Sequence, residues 1–156
     1  MSTHCNAKPI FTRLFPAIVA MTFAPWLTVQ AAHPGHDVIG EWKLTSVLDG
    51  VEITSIDENQ ARHLLGQVMT IQKEGTRFGS ESCGAPSFYS KRVEPNQYVR
   101  QEAHISAAKL RLPNPVTVVD LGCTRVFIKR ADEAVIFWDG FFFGARKIKP
   151  SKAAPR

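Results

Sequence analysis

Few side chains in this sequence have the types and spacing that chemistry requires. Beyond the first 31 residues stand four histidines, His33, His36, His63 and His104. A zinc site needs three or four ligands at close spacing, as in His-Glu-x-x-His or paired Cys-x-x-Cys, and neither pattern occurs. His33-Pro34-Gly35-His36 comes nearest: behind a free amine it could hold copper or nickel weakly through imidazole and amine nitrogens. It reads as a solvated lead, so neither metal nor cofactor is expected. Asp57-Glu58 and Asp132-Glu133 are sequence neighbours whose side chains diverge, suiting a helix start and a turn better than an acid–base pair. Glu81 and Ser82 beside Cys83 lack an identifiable base. With no Gly-x-Ser-x-Gly elbow and no phosphate-cradling loop, the chain reads as a non-enzyme.

The cysteines depend on the first 31 residues. Lys8 and Arg13 precede an apolar run from Leu14 to Val29, which ends in Val29-Gln30-Ala31. That order is the signature of a secretory signal peptide with a small-residue cleavage site. The run holds 16 residues and two prolines, short of the roughly 20 that span a bilayer, so no membrane span is expected in the mature form. Cleavage removes Cys5 and leaves Cys83 and Cys123, an even pair in an exported chain, which reads as one disulfide. The expected location is periplasmic or secreted.

Removing residues 1–31 leaves 125, enough for one domain. It also lowers the basic count from 19 to 17 against 14 acids. Five of those 17 lie in the last 11 residues, so the body is mildly acidic and the basic excess belongs largely to the tail. A nucleic-acid surface is not expected, although aromatics such as Phe78 and Phe127 alternate with Lys and Arg.

These residues need elements to position them. Positions 40–48 alternate strictly, with Trp42, Leu44 and Leu48 on one face. Ser55 or Asp57 can cap a short helix over 56–65, stopped by Gly66. Strands are expected at 67–73, 76–82, 87–93, 97–105, 109–112, 116–121, 125–130, 135–138 and 141–148. Asp139-Gly140 between two apolar runs is the strongest hairpin signal. The organisation is a signal peptide over 1–31, a flexible lead over 32–38, a β-barrel over 39–148 and a basic disordered tail over 149–156.

Gly40-Glu41-Trp42 on the first strand, with Arg146 on the last, resembles the lipocalin-like (calycin) barrels. The resemblance implies that Trp42 closes one end of a small antiparallel barrel while Arg146 packs over its ring, with Gly40 completing the plug. The segment Cys83-Gly84-Ala85-Pro86-Ser87-Phe88 is similar to one in a small exported bacterial barrel family. The fold expected is mainly β, a lipocalin-like barrel with one short helix between its first two strands.

Phe141-Phe142-Phe143 cannot all enter one core, because strand neighbours point to opposite faces. Either the helix over 56–65 or a loop covers the outward ring, or the ring is an exposed apolar site. Phe141, Phe142 and Phe143 with Phe88, Tyr98 and Trp138 therefore form the candidate patch. The function expected is a monomeric, non-enzymatic envelope protein that recognises a protein partner, as inhibitors and immunity proteins do. A carrier of a small apolar ligand in the barrel is the alternative, and an envelope enzyme the third reading.

Overall fold

Alternation shapes the first strand. In the computed structural model, which describes residues 35–149, β1 (Gly40–Gly50) buries Trp42 and Leu44 and turns Glu41, Lys43 and Thr45 to water. Then α1 (Glu58–His63) begins at Asp57, whose carboxylate accepts the Gln60 N–H while the Gln60 side chain accepts the Asp57 N–H, both at 2.8 Å. This reciprocal cap satisfies two otherwise orphaned donors. Gly66, at φ +86°, ends the excursion and donates its N–H to Leu44 at 2.8 Å.

The remaining strands are β2 (Val68–Ile71), β3 (Thr76–Phe78), β4 (Glu81–Cys83), β5 (Tyr89–Val93), β6 (Val116–Asp120), β7 (Arg125–Arg130), β8 (Glu133–Trp138) and β9 (Phe141–Lys147). They pair in the order β4-β3-β2-β1-β9-β8-β7-β6-β5, every pair antiparallel. The sheet curls into a half-barrel. Cys83, on edge strand β4, is disulfide-bonded to Cys123 in the β6–β7 turn, with Cα atoms 6.4 Å apart. Asp139-Gly140 forms the expected hairpin, both residues at positive φ (48° and 86°). The chain after β1 straps across this turn: Val51 donates to the Gly140 carbonyl at 2.9 Å and Ser55 to that of Asp139 at 3.3 Å. Among the described residues no helix is long and apolar enough to cross a membrane.

Two cores lie on opposite faces of the sheet. The concave face gathers Trp42, Leu44, Met69, Ile71, Val126, Ile136, Trp138 and Phe143. On the convex face Val116, Val118, Phe127, Val135 and Phe142 pack beneath α2 (Pro95–Ala103) and a 3-10 turn (Ala107–Leu110), which contribute Tyr98, Val99, Ala107 and Leu110. The salt bridge from Arg125 to Glu102, at 3.2 Å, ties α2 to the sheet.

This cover corrects two sequence expectations. Residues 97–105 and 109–112 hold helical turns where strands were expected. Their Tyr98, Val99 and Ile105 suit a strand by composition, but Pro95 at the first helical position and the Glu94 carboxylate, accepting the Asn96 and Gln97 N–H groups at 3.0 and 2.6 Å, start a helix. Consequently the outward ring, Phe142, is covered by α2 rather than by α1. The buried residue of α1, Ala61, joins the concave core instead. A third difference is at 76–82, where a turn at Gly79 (φ +59°) splits one expected strand into β3 and β4.

The lead is partly built into the fold. Residues 32–34 lie outside the described residues, but His36–Val38 form a 3-10 turn and Val38 is fully buried in the concave core. A Cβ on Gly35 would lie 2.7 Å from the Phe88 carbonyl, so the lead passes against the chain just before β5. Residues 1–31, the expected signal peptide, and 150–156, most of the expected tail, also lie outside the described residues.

Candidate functional site

Trp42 is buried in the concave core, and the cation over its ring is not the one expected. The indole, 1% exposed, donates its Nε1–H to the Val38 carbonyl at 2.7 Å. Lys147, directly opposite Trp42 in register, holds its Nζ 5.3 Å from the ring centroid and donates to the Asp37 carbonyl at 2.7 Å. Gly40 leaves room for it, since a Cβ there would sit 2.9 Å from Lys147 Cε. Arg146 is exposed and pairs in register with Lys43 and Glu133. Period two decides this: Phe141, Phe143, Ala145 and Lys147 share the concave face, so the expected Arg–Trp contact was one residue out of register. A cleft of about 680 Å³ opens beside the indole, lined by Asp37, Val38, Trp42, Ile128, Arg130, Ala131 and Lys147.

The expected aromatic patch is divided between the cores. Phe141, Phe143, Trp138 and the half-buried Phe88 belong to the concave core, while Phe142 and Tyr98 belong to the convex one. Phe142 packs 5.9 Å from Phe127, which lies 6.1 Å from Tyr98. These aromatics bind one element to another and present no surface patch. Large exposed apolar side chains among the described residues are Ile53, Leu65, Tyr89 and Ile148, on four different segments.

A concavity that the sequence reading missed runs along the second half of β1. Two bulges interrupt its pairing with β9, between Leu44 and Ser46 and between Val47 and Asp49, so Thr45 and Leu48 fall out of register. Bulges bend a strand and re-aim its side chains. Along one convex row the register reads Val118, Phe127, Val135, Gly144 and Ser46. The large side chains stop at Gly144, where a Cβ would lie 2.5 Å from Ser46 Oγ. The small side chains Ser46 and Thr45, with Leu48, close over this glycine beside the edge of the helical cover. Thr45 Oγ1 donates to the Gly144 carbonyl at 2.9 Å.

Two adjoining hollows result, of about 420 and 340 Å³, which share Thr45, Ser46, Leu48 and Lys109. Glu58, Arg62 and Leu65 form one wall; Leu110, Arg111, Lys129, Glu133 and Arg146 form the far end. Every carboxylate in this lining has a cation beside it: Asp49 with Lys109 at 3.2 Å, Glu58 with Arg62 at 2.6 Å, and Glu133 with Lys129 at 2.8 Å. The hydrogen bond from Lys129 holds the Glu133 carboxyl below its ordinary range, with Lys129, Arg130 and Arg146 adding electrostatic support against partial desolvation. Five cations thus face three carboxylates, and neither Arg111 nor Arg146 makes a salt bridge among the described residues.

The other sequence candidates do not converge. His63 ends α1, His104 caps α2 and Glu81 opens β4, all exposed. His36 opens the 3-10 turn and His33 lies outside the described residues. Among the described residues no group of three or more His, Cys, Asp or Glu could hold a metal ion. Scanned against protein-family models, curated proteins and solved structures, the chain matches none.

Proposed function

We propose that this protein is an exported, non-enzymatic binding protein of the cell envelope that recognises a protein partner, in the manner of an inhibitor or immunity protein. The lipocalin-like reading of the half-barrel belongs to the same proposal. The observation that carries it is the groove along the bulged half of β1: hydroxyls, ion pairs, Leu48 and Leu65 line its two adjoining hollows. Such a mixture of a polar rim and apolar anchors suits protein recognition. A carrier needs room inside the sheet, and that interior holds Trp42, Met69, Ile136, Trp138 and Phe143 in one packed cluster. An enzyme needs a base beside its nucleophile, and His63, His104 and Glu81 sit on separate elements.

Site-specific photo-crosslinking tests this reading. A photoreactive side chain at Leu65, which is exposed and lines the groove, should trap a discrete protein from an envelope extract, whereas one at exposed Arg77 on β3 should not. Equal trapping at both positions, or none at either, would refute it.

A further inference from the structure

The chemistry of the groove narrows the partner, and this step rests on the binding reading above. Spanning Thr45 to Gly50, the lining extends over about 17 Å at the rise of a strand, the reach of a short extended segment. Its three carboxylates are already matched by Lys109, Arg62 and Lys129. Arg111 and Arg146 make no salt bridge among the described residues, Arg146 adding only its field to a Glu133 already held by Lys129 and Arg130; both are exposed and line the same hollow. A planar guanidinium offers paired donors that match a carboxylate. Arg111 also stands at φ +50°, a conformation unfavourable for a side chain with a Cβ, in the residue just after the 3-10 turn.

The occupant is not supplied by the sequence outside the described residues. Residues 1–34 and 150–156 contain Lys8, Arg13, Lys152 and Arg156 and no acidic side chain, so they would meet like charge. A uniform polyanion fits poorly too, because it would leave Leu48 and Leu65 without an apolar partner. A chain that carries both carboxylates and apolar side chains suits the arginines and the Leu48 and Leu65 positions.

We infer that the groove takes an extended acidic segment of a protein partner, with its carboxylates on Arg111 and Arg146 and its apolar side chains over Leu48 and Leu65.

Fluorescence anisotropy tests this on the protein with a labelled decapeptide that alternates Asp and Leu, its Asn-for-Asp counterpart, and long-chain polyphosphate. The acidic peptide should bind, the Asn peptide should bind at least about ten-fold more weakly, and Arg111→Glu with Arg146→Glu should weaken the acidic peptide by about ten-fold or more while the protein keeps a single cooperative thermal transition. Equal binding of the acidic and Asn peptides, or no binding of the acidic one, overturns the inference. So does tighter binding of polyphosphate, which would mark a polyanion site. Thr45→Trp, which fills the groove without changing its charge, separates the two levels of the argument. If Thr45→Trp abolishes crosslinking to the envelope partner and the charge reversals do not, the groove docks a partner by shape and only this inference fails. If neither change affects crosslinking, the partner reading fails with it.

Discussion

Strands β6–β9 and strands β1–β4 belong to one sheet, yet their convex faces have opposite characters. Across the first set the convex residues are Val118, Phe127, Val135 and Phe142, sealed beneath α2 and the 107–110 turn. Across the second, one register row reads Glu41, Thr70, Arg77 and Ser82, and none of these four is buried. The same distinction is written in the strands. β8 and β9 are apolar on both faces, as doubly covered strands are, whereas β3 and the start of β1 alternate strictly. The groove lies at the boundary between them, where the cover ends and two bulges interrupt the pairing of β1 with β9. The convex side is thus a packed platform across one half of the sheet and a solvated face across the other, with the groove at their junction.

The largest test of this contrast is a pair of truncations. Phe142→Ala should destabilise the fold by about 3–5 kcal/mol, because it leaves a cavity under α2. Arg77→Ala on the bare face should change stability by less than about 0.5 kcal/mol. Denaturant titrations of both variants check this, and similar losses would erase the distinction between the two faces.

The disulfide comes next, since it ties the bare half at β4 to the covered half at the β6–β7 turn. Replacing Cys83 and Cys123 by Ala should lower stability by about 2–4 kcal/mol, mainly through the entropy of the unfolded chain. Hydrogen exchange should then accelerate in β2–β4 well before β6–β9. Uniform acceleration across the sheet would contradict the division.

Smaller and opposite in sign is Thr76→Val. Among the described residues the buried Thr76 hydroxyl has no hydrogen-bond partner, so removing it while keeping the shape should raise stability by about 1 kcal/mol. A lower melting temperature would mean that the hydroxyl has a stabilising role.

The smallest effect concerns pH. Glu133 titrates below its ordinary value of 4.5 in the folded protein. Its contribution is therefore complete above that value and disappears as pH falls through the lowered folded pKa. Glu133→Gln should flatten this acidic part of the stability profile and leave its shape near neutrality unchanged, as followed by thermal melts across pH.

Much of this architecture was legible in the residues, for identifiable reasons. Trp42 and Leu44 announced a concave face by period two, Asp139-Gly140 announced its hairpin by backbone twist, and Cys83 with Cys123 announced a crosslink by count. The helical cover was harder to see. Tyr98 and Val99 have strand composition, and only Glu94-Pro95, a cap followed by a residue fixed for the first turn, distinguishes the helix. Assigning Arg146 to Trp42 followed a family resemblance, whereas alternation counted from Phe143 leads to Lys147. The groove left no contiguous signal. It is assembled from bulges at Thr45 and Leu48, a glycine on β9 and arginines from two distant segments, which meet only through register. Gly144 following three phenylalanines was the one clue, a sudden loss of side-chain volume on a face otherwise filled.

Amide chemical-shift mapping during titration with the alternating Asp–Leu decapeptide tests the central claim most directly. The account predicts that the largest shifts fall on Ser46, Leu48, Gly144 and Arg111, along the junction of the two halves. Shifts centred on the cleft at Trp42 and Lys147, or on the row through Thr70 and Arg77, would contradict it.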